Sequence, residues 1–290
     1  MWPFTLSGPS FLLFYAIFAA LVLFAATRVR VAVESGNRPR LTWDDPYLIA
    51  YLRGGPNEAL RVASVSLIDR GLLSLDGDRV VAARGAAEHA QRPLDRALLL
   101  HFHTAAAADT IFDDRLRGVA DDAYEARLAA MRLLPDDAQR AERRQRIWWV
   151  LGLLLGLAAF RVARSLATGH PNVIFLVVLA VLVTFVTCRV LRPRVTALGA
   201  TVLDDLRTLF ASLRHRAASI RPGGHTSEAV LLAAVFGVGM LPAAGFPYVK
   251  QLYPRAASDG GGSGSSCGSS CGSSGDGGGS GCGGCGGGGD

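Results

Sequence analysis

Long apolar segments alternate with mixed polar stretches along this chain. Residues 6–27, 147–167 and 173–191 are nearly uncharged, and each is long enough to cross the roughly 30 Å hydrocarbon core of a bilayer as a helix. The middle segment contains Arg161 and Arg164, whose long side chains can reach the lipid headgroups. Only the short sequence TGHPN separates the last two segments. We therefore predict one transmembrane helix followed, after a polar stretch, by a transmembrane hairpin.

A fourth apolar segment, residues 229–246, is a candidate for a further span. Its 18 residues carry no charge, but they include three glycines and Pro242. Membrane helices tolerate such residues because neighbouring groups can satisfy the freed backbone atoms. The alternative is a loosely apolar segment at the membrane interface. The choice between them decides on which side of the membrane the C-terminal tail lies.

Arginines flank the apolar segments unevenly. No Lys or Arg precedes the first segment, which distinguishes it from a secretory signal peptide. Arginines instead follow the first segment and precede the second: Arg28, Arg30, Arg38, Arg40, Arg140, Arg143, Arg144 and Arg146. Since cytoplasmic flanks are enriched in Lys and Arg, we predict a multi-pass protein of the plasma (inner) membrane. Its N-terminus lies outside and residues 41–139 lie in the cytoplasm.

Residues 41–139 have the length and mixed polarity of a water-soluble domain. Prolines at helix starts, glycines at helix ends and an Asp-Gly pair between alternating apolar runs are the local signals. They predict helices that begin at Pro46, Pro56 and Pro93, a hairpin that turns at Asp76-Gly77, and one or two helices within 111–134. The pairs Asp113-Asp114 and Asp121-Asp122 are expected near the starts of these last helices. The result is a small α+β domain with a winged-helix-like order of elements.

The net charge of +6 does not indicate nucleic-acid binding. Residues 41–139 contain 11 arginines against 16 acidic residues, whereas a surface that binds phosphates needs clustered positive charge. We therefore predict the lipid bilayer as a partner, and no nucleic acid. Residues 196–216 predict an amphipathic cytoplasmic helix, which can lie on the inner membrane surface or pack on the soluble domain. We favour packing on the domain.

The sequence contains no recognisable catalytic motif. A nucleophile elbow, a phosphate-binding glycine loop and a zinc-protease motif are all missing from the printed sequence. His101 and His103 form the one close histidine pair, and residues two apart on a helix point to different faces. We predict a mainly α membrane protein that is not an enzyme and that has no cofactor.

The C-terminal segment, residues 258–290, contains 17 glycines and no aromatic or aliphatic side chain, so we predict that it is disordered. It carries Cys267, Cys271, Cys282 and Cys285. Four thiolates can bind zinc, and an oxidising compartment allows disulfides. However, no apolar residue is present to support a folded site. These cysteines are weak metal candidates and our candidate modification sites, while inert thiols in a spacer are the remaining interpretation.

Three short stretches carry a resemblance that extends over essentially the whole chain. They are Ala50-Tyr-Leu-Arg-Gly-Gly-Pro56, Leu67-Ile-Asp-Arg-Gly-Leu72 and Thr196-Ala-Leu-Gly199. Together with the N-terminal anchor, the hairpin and the Gly/Ser/Cys-rich tail, they resemble a family of uncharacterised bacterial membrane proteins with a low-complexity C-terminus. The resemblance implies a topology and no reaction.

Some members of families like this are encoded beside multinuclear non-haem iron oxidases that modify cysteines in peptide precursors. The resemblance therefore implies a cysteine-modifying enzyme or another protein as a partner. Our leading hypothesis is a non-enzymatic membrane protein that displays its cysteine-rich tail for modification or for metal or redox chemistry. The alternative is a membrane-anchored protein-interaction or sensor module in which the tail is a dispensable spacer.

Overall fold

The computed structural model describes residues 8–34, 36, 45–167, 174–191, 193–217 and 228–253. This part of the chain is mainly helical, with one small three-stranded sheet. It consists of a three-helix bundle and a head domain, which we define as the described residues of 45–134 and 193–253. The predicted disordered tail lies outside the described residues.

The three-helix bundle is formed by α1 (Gly8–Glu34), α6 (Asp137–Ala167) and α7 (Ile174–Leu191). Each helix is long and apolar enough to cross a membrane, in agreement with the three predicted spans. The helices pack through one face each, where the Tyr15 hydroxyl donates a hydrogen bond to the backbone oxygen of Leu154 at 3.3 Å. Large apolar side chains cover the outside of the bundle, with Phe175 69% and Phe185 70% exposed.

Two of these helices are longer than the predicted spans. α1 continues beyond residue 27 to Glu34, and α6 begins at Asp137, well before residue 147. Neither extension contains a glycine or a proline that would stop the helix. Both extensions contain charged residues, and they carry arginines and carboxylates from the bundle to the head domain.

The head domain begins with the predicted helix pair. α2 (Pro46–Gly54) and α3 (Pro56–Asp69) are separated by Gly55, and the Asp45 side chain accepts a hydrogen bond from the backbone N–H of Tyr47. The hairpin of β1 (Leu73–Asp76) and β2 (Arg79–Ala82) follows, with Gly77 at a positive φ of 60°. A short third strand, β3 (Ala106–Ala107), pairs antiparallel with β2. The local turn and helix signals in this region are therefore confirmed.

Two further helices complete the first part of the head domain. These are α4 (Pro93–His101) and α5 (Asp114–Ala130). Asp113 and Asp114 lie at the start of α5, as expected. The expectation for Asp121-Asp122 is wrong, because residues 114–130 form one uninterrupted helix and this pair lies in its middle. Gly118 does not break the helix, since a single glycine costs only about 1 kcal/mol there.

The region around residues 196–216 forms α8 (Ala197–Leu209) and α9 (Ala211–His215), which pack on the head domain. Leu198, Val202, Leu206 and Leu213 are buried in its hydrophobic core. Of the two alternatives left open by the sequence, packing on the domain is therefore the one observed. The Oγ of Thr196 accepts a hydrogen bond from the backbone N–H of Gly199 and caps α8 at its start.

Residues 229–246 do not form a fourth spanning helix. α10 (Glu228–Phe236) has nine residues and is about 14 Å long, roughly half the thickness of the hydrocarbon core. Gly237, with a φ of +109°, ends it. A 3-10 turn (Val238–Met240) and the short helix α11 (Tyr248–Leu252) follow.

α10 lies inside the head domain, where it contacts α2, α3 and α8. Most of its residues are buried in the hydrophobic core: Ala229, Val230, Leu232, Ala233, Ala234 and Val235. The possible fourth span is therefore not observed, because a helix that is apolar all round is equally suited to a protein core. The head domain is consequently larger than the predicted 41–139 and is built from two parts of the chain.

Candidate functional site

A groove of about 640 Å³ lies where the head domain meets the polar extensions of the bundle. It is lined by residues of α2, α3, α5 and α6, by the end of α7, and by the segments that precede α6 and follow α7. Its charged residues are four arginines and two carboxylates: Arg140, Arg143, Arg144, Arg194, Asp121 and Glu125. We call it the arginine groove.

Two of the four arginines are engaged in ion pairs. Arg140 pairs with Glu125 and, at 3.1 Å, with Asp137. Arg143 pairs with Glu34 at 2.7 Å, and its Nη1 donates a hydrogen bond to the backbone oxygen of Pro193 at 3.1 Å. These contacts hold α6 against α5, α1 and the linker, so they position the walls of the groove.

The other two arginines, Arg144 and Arg194, are exposed, and neither forms an ion pair with a described residue. The guanidinium carbon of Arg194 lies 5.1 Å from the centroid of the Tyr51 ring, which is a cation–π contact. The Tyr51 hydroxyl donates a hydrogen bond to Oδ1 of Asp121 at 2.5 Å. Burial and this hydrogen bond raise the pKa of Tyr51 above its ordinary value, so the phenol stays protonated and remains a donor.

Asp121 itself forms no ion pair with the described residues, although it receives the hydrogen bond from Tyr51. Arg194, Tyr51 and Asp121 thus form a short series in which one aromatic residue contacts both a cation and a carboxylate. Within the described residues, the groove therefore offers two guanidinium groups without an anionic partner and one carboxylate without a cationic partner. This arrangement can bind a small group that carries both a negative and a positive charge.

The glycine pair at residues 54 and 55 makes room for charged side chains at the edge of the groove. A Cβ at Gly55, which has a φ of +86°, would lie only 1.8 Å from Nη1 of Arg194. A Cβ at Gly54 would lie 2.3 Å from Cγ of Glu58, which forms an ion pair with Arg53. The Arg-Gly-Gly sequence is thus explained by close packing of two arginines and a glutamate.

Replacing Gly55 with alanine is expected to cost about 1–3 kcal/mol for the strained φ, and more because Arg194 must leave its place over Tyr51. Thermal unfolding of the full chain in detergent, followed by circular dichroism, measures the loss. The matched control is the same Gly55→Ala change in an Arg194→Ala chain, which keeps the backbone conformation of residue 55 (φ +86°, ψ −163°) but lacks the guanidinium that the added Cβ would meet. Equal losses in the two backgrounds would show that the contact with Arg194 is unimportant.

Glu34, at the end of α1, joins the bundle to the head domain beside the groove. Its carboxylate accepts a hydrogen bond from Nε of Arg143 at 2.8 Å and from the backbone N–H of Ala197 at 3.0 Å. It also pairs with Arg30 at 3.2 Å, and its side chain is only 6% exposed. Because Ala197 begins α8, the carboxylate also faces the positive end of that helix dipole. We call this arrangement the Glu34 clasp.

Of the residues that the sequence singled out for chemistry, the two described histidines do not line this groove. Cys267, Cys271, Cys282 and Cys285 lie outside the described residues. His101 contacts the Thr110 hydroxyl, whereas His103 contacts the backbone oxygen of Leu100, so the pair has no common partner. In the described ranges, no group of three or more His, Cys, Asp or Glu residues is arranged to hold a metal ion.

In the sequence, Arg140, Arg143 and Arg144 served only as signals of membrane topology. Arg140, Arg143, Arg144 and Arg194 flank the apolar segments in the sequence, and such flanks are expected on the cytoplasmic side for any membrane protein. The apolar pattern of the sequence does not show that α1 and α6 continue as helices beyond their apolar segments. The extension of α6 brings Arg140, Arg143 and Arg144 beside Asp121 and Glu125, and the linker after α7 adds Arg194.

No protein-family model, curated protein or solved structure matches this chain. The family resemblance carried by residues 50–56, 67–72 and 196–199 therefore stays a prediction. So does the winged-helix interpretation of the head domain. In the head domain, α3 is surrounded by α2, α4, α5 and α10, and most of its residues are buried.

Proposed function

We propose that this protein is a non-enzymatic, multi-pass protein of the plasma membrane that holds its cysteine-rich tail on the cytoplasmic side, where the cysteines are modified or take part in metal or redox chemistry. The apolar outer surface of the bundle supports the membrane location, since water-exposed apolar patches of this extent are rare on soluble proteins. Arg28, Arg30 and the arginines at the start of α6 lie at the head-domain end of the bundle. They support a cytoplasmic head domain.

The position of Tyr253 carries the proposal for the tail. Tyr253 is the last described residue, it is only 3% exposed, and its hydroxyl lies 2.5 Å from the Oγ of Ser64 in α3. The last described residue before the tail is therefore buried in the head domain. Residues 254–290 contain no apolar segment that could cross a bilayer. The tail consequently stays on the side of the head domain.

A cytoplasmic location limits the reactions that the four tail cysteines can undergo. The cytoplasm keeps thiols reduced, so stable disulfides are disfavoured there. Free thiols remain open to enzymatic modification or to binding of a soft metal ion such as zinc. The tail has no apolar residue to support a fold of its own, so we expect an enzyme or a metal ion to impose any order on it.

Labelling with a membrane-impermeant maleimide tests the side of the tail. In a Cys188→Ala background, we expect the tail thiols to react only after the cells are permeabilised. The control is a chain without tail cysteines that carries Thr5→Cys, just before the predicted span, whose thiol we expect to react in intact cells because the N-terminus lies outside. Labelling of the tail in intact cells would place it outside and contradict the proposal.

Intact-mass measurement of the protein from its native cells tests the chemistry. We expect a mass shift on the tail, or metal that remains bound under native conditions and is lost when the four cysteines are replaced by serine. Unmodified and metal-free thiols under every growth condition would remove the proposed role of the tail. The arginine groove would then favour the second candidate, an interaction or sensor module. In that case, a chain lacking residues 258–290 would restore the function of the full chain in a deletion strain.

A further inference from the structure

We propose that the arginine groove binds the headgroup of a phosphoethanolamine phospholipid. The inference rests on the proposed membrane location and goes beyond the proposed role of the tail. It concerns residues that lie in the groove and form no ion pair with any residue that the structure describes.

The groove lies at the depth where lipid headgroups occur. Ile147 and Leu191, which line it on the bundle side, belong to the apolar parts of α6 and α7. Trp148 and Trp149 follow directly on α6 and are 67% and 73% exposed. Exposed tryptophans are typical of the boundary between hydrocarbon and headgroups. A lipid with its acyl chains beside the bundle would therefore have its headgroup at the mouth of the groove.

Two guanidinium groups that form no ion pair with a described residue provide the phosphate site. Arg144 and Arg194 line the groove, whereas the other two arginines are already engaged with Glu125 and Glu34. Guanidinium groups suit phosphate oxygens because their planar N–H donors form paired, charge-assisted hydrogen bonds. The groove volume of about 640 Å³ is in the range of small-molecule sites. A phosphodiester headgroup can therefore be held between the two arginines.

Asp121 selects among the phospholipid headgroups. Its carboxylate lies in the same groove, is joined to Arg194 through Tyr51, and has no cationic partner among the described residues. A primary ammonium group would supply both the missing charge and hydrogen-bond donors. A phosphoglycerol headgroup brings no cation and would face the carboxylate with its negative charge. A phosphocholine headgroup brings a cation without N–H donors. Phosphoethanolamine complements all three charged groups.

The test measures which lipids remain bound to the purified full chain. The protein is reconstituted in nanodiscs that contain phosphatidylethanolamine, phosphatidylglycerol and phosphatidylcholine in equal amounts, and lipids retained after transfer to detergent are counted by native mass spectrometry. We expect phosphatidylethanolamine to be enriched over phosphatidylcholine. Arg144→Gln/Arg194→Gln should lose about tenfold or more of this retention, because charge-assisted hydrogen bonds are removed. Arg79→Gln/Arg84→Gln, at exposed arginines of the hairpin region, is the matched control and should retain the lipid.

Asp121→Asn separates the two halves of the proposal. Asparagine can still accept the hydrogen bond from Tyr51, so the fold of the groove is preserved, but it no longer attracts an ammonium group. We expect the preference to change from phosphatidylethanolamine to phosphatidylglycerol. An unchanged preference in this variant, or a wild-type preference for phosphatidylglycerol, would overturn the assignment of ethanolamine. Equal retention by the groove variant and the hairpin control would overturn the lipid site.

Two further measurements keep the outcomes distinct. Excess inorganic phosphate that displaces the lipid and itself binds to the groove would identify a free-phosphate site and overturn the lipid proposal. Alkaline carbonate extraction of membranes tests anchoring separately. A protein that stays in the membrane but retains no lipid at the groove contradicts this inference alone, whereas a protein released by carbonate contradicts the proposed function as well.

Discussion

Glu34→Gln is expected to lower the free energy of unfolding by about 3–5 kcal/mol, the range seen when one partner of a buried ion pair is removed. The carboxylate is 6% exposed and interacts with Arg143, Arg30 and the backbone N–H of Ala197. A neutral side chain would leave two poorly solvated guanidinium groups without their anion. Thermal unfolding of the full chain in detergent micelles measures the effect.

Glu142→Gln is the matched control on the polar extension of α6. Glu142 pairs with Arg146 at 2.5 Å, but it is 58% exposed, so its loss should cost only about 0–1 kcal/mol. The double variant Glu34→Gln/Arg143→Met should recover part of the loss, because it also removes one of the uncompensated charges. Equal losses from Glu34→Gln and Glu142→Gln would show that the Glu34 clasp does not fix the head domain to the bundle.

Much of the head domain could be predicted because its signals are local. Proline at residues 46, 56 and 93 marks helix starts, and Gly71 and Gly77 have the positive φ that a helix end and a tight hairpin turn require. These signals act within a few residues, so no knowledge of the tertiary structure is needed to use them. The three bundle helices were also predictable, because a helix needs about 20 largely apolar residues to cross the hydrocarbon core of a bilayer.

The arginine groove could not be predicted because its charges depend on long-range packing. Whether Arg143 is paired or free is decided by Glu34, more than 100 residues away in the sequence, and Arg194 is positioned by Tyr51. From sequence alone, every arginine at the end of an apolar segment has the same explanation. The structure separates the groove arginines into two that hold the fold together and two that have no ionic partner in the described part of the chain.

The location of segment 229–246 could not be predicted for a third reason, because the same apolar composition suits both a protein core and a lipid bilayer. A helix buried in a protein core and a helix buried in lipid both require apolar side chains on all faces. Only the length of the helix distinguishes them, and Gly237 ends α10 after nine residues. This one difference changes the predicted number of membrane crossings, and with it the side on which the tail cysteines are held.

Leu232→Ala is accordingly expected to destabilise the head domain by about 2–5 kcal/mol, as truncation of a fully buried leucine leaves a cavity. Leu232 is 0% exposed, in the core shared by α10, α2 and α3. The control is Leu209→Ala on α8, where the leucine is 67% exposed and the change should stay within about 0.5 kcal/mol. Thermal unfolding of both full-length variants in detergent gives the comparison.

The result of this comparison also bears on the tail. If residues 229–246 crossed the membrane, Leu232 would face lipid or another span, and its truncation would leave the melting of the head domain unchanged. The tail would then begin on the opposite side, and its thiols would react with the impermeant maleimide in intact cells. The two experiments should therefore agree, because burial of Leu232 and protection of the tail thiols both depend on α10 lying in the head domain.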